Sequence, residues 1–180
     1  NDRSALGESL RILRTNLNYL LKARKKDTQK GKNIFVTSSV PGEGKTFISS
    51  NLSVIFSHSK SKVLLIGADI RNPKLYTFFS DNKHVDQVGK AQRKEVLGLT
   101  EYLTEETVEI ADIINPTLVH SHHIDVVFSG KIPPNPAELL MSERMQELFN
   151  EVVLHYDYVI VDTAPLMVVT DTLLISEYAD

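Results

Sequence analysis

The stretch Asn33-Ile-Phe-Val-Thr-Ser-Ser-Val-Pro-Gly-Glu-Gly-Lys-Thr46 decides the fold. Ile34, Phe35 and Val36 are β-branched or aromatic and predict a short, buried strand. Val40-Pro41-Gly42-Glu43-Gly44 predicts a turn, and from Lys45 onward Phe47, Ile48, Leu52 and Ile55 recur at helical spacing. Strand, glycine loop and helix N-terminus, in that order, make a cradle for phosphate. The cradle runs from Pro41 through Gly42, Glu43, Gly44, Lys45 and Thr46 to Phe47. Gly42 and Gly44 let the backbone approach an anion, and unpaired N–H groups at the helix start point at it. Lys45 is placed to reach the β- and γ-phosphates, and the Thr46 hydroxyl to ligate Mg²⁺. The full pattern has glycine five residues before Gly44, where this chain has Ser39. An ordinary Gly-rich turn with a surface lysine would account for neither Lys45-Thr46 nor the strand-to-helix setting.

Working outward, Lys62-Val-Leu-Leu-Ile-Gly-Ala-Asp69 and Tyr158-Val-Ile-Val-Asp162 are hydrophobic strands that each end in aspartate, and Ile124–Phe128 is a further strand. Helical crossovers between them predict an α/β, three-layer sandwich: a mostly parallel sheet with helices on both faces. Ligands bind beyond the carboxyl ends of such strands, so Asp69 and Asp162 belong at the cradle's edge. Asp162 reads as a Walker B carboxylate that holds Mg²⁺ directly or through water. Asp69 reads as a ligand of metal-bound water or as the acceptor of a hydroxyl proton. Arg71 reads equally as a phosphate contact or as half of a salt bridge.

Ser4–Lys26 predicts an amphipathic helix with Leu6, Leu10, Leu13, Leu17, Leu20 and Leu21 on one stripe. Six lysines and arginines between Lys22 and Lys32 read as a solvated basic linker or as attraction to an anionic membrane surface. Ser80–Val96 is polar with little periodicity and predicts an excursion. Leu99–Leu103 and Val108–Ile114 predict short helices, and one long helix follows an Asn135 N-cap and Pro136. His120-x-His122-His123 could place imidazoles on one side of a strand, but nearby partners are lacking and surface polar residues are the simpler reading.

Length, 42% hydrophobic content and 24% charge fit a single globular domain over 1–180, with an N-terminal helix and linker (1–32) before a nucleotide-binding core (33–180). Without cysteine there are no disulfides or thiolate metal sites. A net charge of −3 gives no footprint for nucleic acid. The chain stops in or just after a helical pattern, Asp171–Ala179, as an excised fragment would.

In this order the pieces resemble the cytoplasmic catalytic domain of bacterial tyrosine kinases of the polysaccharide co-polymerase type. The resemblance covers nearly the whole chain. It rests on Ser38–Thr46 as Walker A, Val63–Arg71 as a Walker A′ segment, Tyr158–Pro165 as Walker B, and the loop Gly130-x-x-Pro-Pro-Asn-Pro-x-Glu-Leu-Leu-x-Ser142. Glu8-x-x-Arg11-x-x-Arg14 looks like the family's oligomerisation motif. The resemblance implies a P-loop fold, Mg-ATP as cofactor and γ-phosphoryl transfer to tyrosine. It implies ring-shaped homo-oligomers in which a tyrosine-rich tail is offered to a neighbour, and attachment to a transmembrane activator at the cytoplasmic face of the bacterial inner membrane. It further implies control of capsule or exopolysaccharide export, opposed by a cognate tyrosine phosphatase. Two departures stand out. Family members usually have a second acid where Gly67 stands, which leaves Asp69 to serve alone. Tyr19, Tyr76, Tyr102, Tyr156, Tyr158 and Tyr178 are scattered, so the acceptor tyrosines are expected beyond residue 180. The alternatives are a partition or division-site ATPase, against which Val40 in place of lysine speaks, and a catalytically weak ATP-binding ring scaffold, for which Gly67 speaks.

Overall fold

In a computed structural model, residues 5–23, 30–80, 85–87, 96–119 and 121–180 are described. The hydrophobic runs form strands β1 (Lys32–Val36), β2 (Val63–Gly67), β3 (Val85–Gln87), β4 (Asn115–Val119), β5 (His122–Val127) and β6 (Tyr158–Asp162). They lie in one sheet in the order β1-β6-β2-β5-β4-β3. The first four are mutually parallel, while β4 and β3 are added antiparallel. Every residue of β2 is buried. Such a strand reads as a continuous apolar run because helices cover both faces of it.

Leu64 and Ile66 face one layer and Val63 and Leu65 the other, as the two-residue period of a strand requires. On the first face lie α4 (Leu99–Thr104), α5 (Ile110–Ile113), α6 (Pro136–Leu140) and α7 (Glu143–His155), with Met145, Leu148, Phe149 and Val152 of α7 buried in the core. On the second lie α2 (Lys45–Ser57), through Leu52 and Phe56, and α3 (Leu75–Ser80), through Leu75 and Phe79. Small buried Ser49, Ser50 and Ser53 let α2 sit close to the sheet. Two short turns, α8 (Asp171–Leu174) and a 3-10 turn at Ser176–Tyr178, complete the order.

Three expectations change. The single helix after Pro136 is two helices: α6 ends at Leu140, and Ser142 caps α7 by accepting a hydrogen bond from the Met145 N–H. Asn115–Val119 is an added strand despite Pro116, which lies just outside the Thr117–Val119 stretch that β3 pairs. The leucine stripe of α1 (Ala5–Ala23) is only partly buried. Leu10, Leu17 and Leu21 pack inward, whereas Leu6, Leu13 and Leu20 are 46%, 37% and 58% exposed. The reason is that α1 rests on α2 rather than flat on the sheet. The basic residues 24–26, most of the excursion Ser80–Val96 and His120 lie outside the described residues. Among the described residues no helix is long and apolar enough to cross a membrane.

Candidate functional site

The cradle forms at the C-terminal ends of β1, β6 and β2. Gly42 and Gly44 take φ of 87° and 89°, a left-handed conformation open to glycine at little cost. Gly44 provides no side-chain cap to α2, so the first N–H groups of that helix are available to an anion. The Glu43 carboxylate turns back and accepts from the Ser39 and Val40 N–H groups, at 2.8 and 3.2 Å. Its side chain therefore holds the loop in shape and does not line the cavity. The segment after β6 runs beside the loop, with the Leu166 and Met167 N–H groups donating to the Ser38 and Ser39 carbonyls.

A cavity of about 350 Å³ opens over this edge. Pro41, Gly42, Gly44, Lys45, Thr46 and Phe47 line one side, Asp69 and Arg71 another, and Ala164, Pro165, Val168 and Val169 a third. Strand register puts Asp162 between Val36 and Gly67. The Ala68 and Asp69 N–H groups both donate to the Asp162 carbonyl, which fixes the two acidic residues relative to each other. Thr46 Oγ1 donates to Asp162 Oδ2 at 2.7 Å, while Oδ1 is buried with no hydrogen-bond partner. Burial pushes the Asp162 carboxyl up to about 6, against the opposing pull of the Thr46 hydrogen bond and the Lys45 charge. A buried carboxylate oxygen without a partner, beside a hydroxyl, fits a hard divalent cation.

Asp69 Oδ1 accepts from the Asn72 N–H at 3.0 Å, which closes the turn into α3. Burial raises this carboxyl too, with the Asn72 N–H and Lys45 pulling it back. Arg71 grips the buried Asp171 with Nε and Nη2, at 2.5 and 3.0 Å, a hundred residues away in α8. That salt bridge stands at the cavity wall and ties the Walker A′ segment to α8. The structure thus brings together Lys45, Thr46, Asp69, Arg71 and Asp162. It adds Asn72 and Lys74, which line the same wall and have no motif to announce them.

At Gly67 an added Cβ would lie 2.8 Å from Ser129 Oγ and 3.2 Å from Leu75. Ser129 Oγ occupies that space while donating to the Gly67 carbonyl at 2.8 Å. Glycine at 67 and serine at 129 are therefore one packing solution. On α1, Glu8 and Arg11 form an exposed pair at 3.2 Å. Arg14 is spent within the subunit, donating to the Ile55 carbonyl and Ser59 Oγ at 3.0 and 2.9 Å. Among the described residues no group of three metal-ligating side chains exists, so His122 and His123 form no such site there.

Residues 31–179 match the AAA domain family. The chain is 37% identical over 179 residues to the tyrosine-protein kinase YwqD of Bacillus subtilis, covering 99% of this chain and 67% of that protein. It is 34% identical to the tyrosine-protein kinase etk of Escherichia coli, of which it spans 21%. The solved kinase domain of that enzyme superposes with a TM-score of 0.80 at 33% identity, covering 96% of this chain and 60% of that one. A septum site-determining protein from Pyrococcus horikoshii superposes at 0.60 with 18% identity, over 83% of this chain and 55% of that one, a likeness of fold alone. The partition-type alternative is thus the more distant one, and the chain belongs to the AAA domain family and, within it, to the bacterial tyrosine-protein kinases.

Proposed function

We propose that this domain binds Mg-ATP in the cavity over β1, β6 and β2 and transfers the γ-phosphoryl group to a tyrosine hydroxyl. The observation that carries this reading is the convergence of Lys45, Thr46, Asp69 and the partnerless Asp162 oxygen at one glycine-loop edge. The α2 N-terminus and the loop N–H groups cradle the phosphates, and Lys45 neutralises the β- and γ-oxygens. Thr46 and Asp162 are the residues that would hold Mg²⁺, with Asp69 acting through a water. When bound, the ion draws charge from the transferring phosphoryl group and its leaving oxygen. Asp69 orients the acceptor phenol and takes its proton as the oxygen–phosphorus bond forms and the β,γ-bridge breaks. Its raised pKa suits a base.

The wider role follows the family resemblance: autophosphorylation in trans of a tyrosine tail, in a ring assembled through the Glu8 and Arg11 face of α1. It includes a transmembrane activator at the cytoplasmic face of the inner membrane, control of capsule or exopolysaccharide export, and a cognate phosphatase. A weakly catalytic ring scaffold is the second reading, favoured by Gly67. One experiment separates them, a phosphotyrosine immunoblot with Mg-ATP and a tyrosine-bearing acceptor for the wild type and Lys45→Ala. Signal in the wild type and none in the variant is expected. ATP binding by the wild type, weakened in Lys45→Ala, with no phosphotyrosine in either would favour the scaffold.

A further inference from the structure

A second cavity, of about 270 Å³, adjoins the first across the segment that leads into α3. Arg71, Asn72 and Lys74 of that segment line the phosphate cavity, while Pro73 and Tyr76 line the neighbour. The volume lies just under the range of about 300–1,000 Å³ typical of small-molecule sites, which suits a single side chain. The walls are apolar and aromatic: Tyr76 and Phe128 meet edge to face at 5.3 Å, with Leu97 and Ile132 at the rim. One wall is different. Glu101, only 4% exposed, lines this cavity with its carboxylate held by two backbone donors, Gly98 N–H at 2.9 Å and Lys131 N–H at 3.1 Å. Each oxygen thus accepts one bond and retains a lone pair for another.

We propose that this cavity is a recognition subsite for a tyrosine side chain of the acceptor, held there while a second tyrosine is phosphorylated next door. The proposal rests on the kinase reading only for what happens in the neighbouring cavity. An aromatic ring matches Tyr76 and Phe128, and a phenol supplies a hydrogen-bond donor for a free lone pair of Glu101. A phenylalanine leaves that acceptor unused. A lysine or arginine would have to shed its water among Leu97, Phe128 and Ile132. Phosphotyrosine would set a dianion against the Glu101 carboxylate. The subsite therefore holds unmodified tyrosine and releases it once phosphorylated.

The test uses side-chain analogues, without nucleotide, so that it does not depend on phosphoryl transfer. The chain, labelled at Ile, Leu and Val methyls, is titrated with p-cresol, toluene, p-tolyl phosphate and n-butylammonium and followed by NMR. The expected result is p-cresol shifting Ile132 and Leu97, with toluene about tenfold weaker for want of the hydrogen bond and the other two inert. Ile132→Lys should abolish the p-cresol response. Glu101→Gln, which keeps one acceptor oxygen but sets an NH2 against a backbone N–H donor, should weaken p-cresol and leave toluene unchanged. Should Glu101→Gln fail to fold, Ile132→Lys and the analogue series still decide the matter. Shifts confined to Val168 and its neighbours, equal binding of toluene or p-tolyl phosphate, preferential binding of n-butylammonium, or no binding of p-cresol would each overturn the proposal. Failure of the Lys45→Ala immunoblot with p-cresol still bound would overturn the kinase reading and leave the subsite standing.

Discussion

The polar groups at the cavity edge and those on the outer face of α1 are built on opposite terms. Asp162 is 3% exposed, bonded once through Oδ2 and partnerless at Oδ1. Glu8 and the partly exposed Arg11 form an ion pair at 3.2 Å on the outer side of α1. A buried group without a partner carries a standing cost of about 1–3 kcal/mol, which persists only where something else is gained. An exposed pair carries almost none. The difference ranks the substitutions below by how far each group has been taken out of water.

Asp162 should give the largest effect. Asp162→Asn is expected to lower phosphoryl transfer by roughly 10³-fold and to abolish its dependence on Mg²⁺, measured by steady-state kinetics across Mg²⁺ concentrations. Its pH signature has a definite sign. The folded carboxyl, at about 6, lies above its unfolded value of 3.8. The associated stability is therefore fully present below pH 3.8 and is lost as pH rises through 6, up to about 3 kcal/mol for a group this buried. Thermal melts of the nucleotide-free protein should rise from pH 7 towards pH 5, and Asp162→Asn should flatten that slope. Because metal competes with the same proton, Mg²⁺ affinity should fall about tenfold per unit below pH 6. A wild-type slope preserved in the variant would move this titration to another residue.

Asp69 comes second, being buried but satisfied by the Asn72 N–H. Asp69→Asn should reduce phosphotyrosine formation about 10²-fold with Mg-ATP affinity little changed. Undiminished transfer would show that a loose transition state needs no base, and would level the contrast between the two aspartates.

Gly67 is third, and here the geometry adds a packing cost that the sequence reading does not contain. Supplying the second acid that the family resemblance implies would be expected to help catalysis. Yet a Cβ at 67 meets Ser129 Oγ at 2.8 Å and forces it off the Gly67 carbonyl. Gly67→Asp should cost about 1–3 kcal/mol in urea unfolding, and Ser129→Gly in the same chain should recover much of it. Equal stability of Gly67→Asp and the wild type would show that the serine gives way freely.

The legibility of the chain follows the same division. The phosphate loop, both acidic strand ends and the parallel core were readable because backbone chemistry demands those residues at those spacings. Asn33–Thr46 alone implied strand, turn and helix. What escaped depends on tertiary placement. Arg71 finds Asp171 a hundred residues on, and no local pattern distinguishes that from a phosphate contact. Asn72 and Lys74 reach the cavity only because the turn closed by Asp69 aims them there. The break between α6 and α7 has no Gly or Pro. Ser142 followed by Glu143 was the available signal, since a hydroxyl N-cap with an acid in the first turn marks a helix start. The stripe on α1 reads as one face in the sequence, and packing on α2 divides it.

The smallest expected effect lies on α1, and it separates three charges that the motif treats as one. Glu8 and Arg11 sit three residues apart in solvent, a pair worth about 0.2–0.5 kcal/mol. Arg14 instead ties α1 to the end of α2 through the Ile55 carbonyl and Ser59, and losing those bonds should cost about 1–2 kcal/mol. Glu8→Ala/Arg11→Ala should therefore melt with the wild type, while Arg14→Ala melts a few degrees lower. In light scattering the order should change. If the exposed pair meets a complementary patch on a neighbouring subunit, partial desolvation strengthens it there, and a head-to-tail contact that closes makes a ring. The double variant should then be monomeric at concentrations where the wild type assembles, with ATP binding intact, and added salt should reproduce its effect. Arg14→Ala should weaken assembly only in proportion to its loss of stability. Assembly that survives Glu8→Ala/Arg11→Ala, or a wild type that stays monomeric at high concentration and low salt, would take this face out of the interface and leave Arg14 as an internal strut.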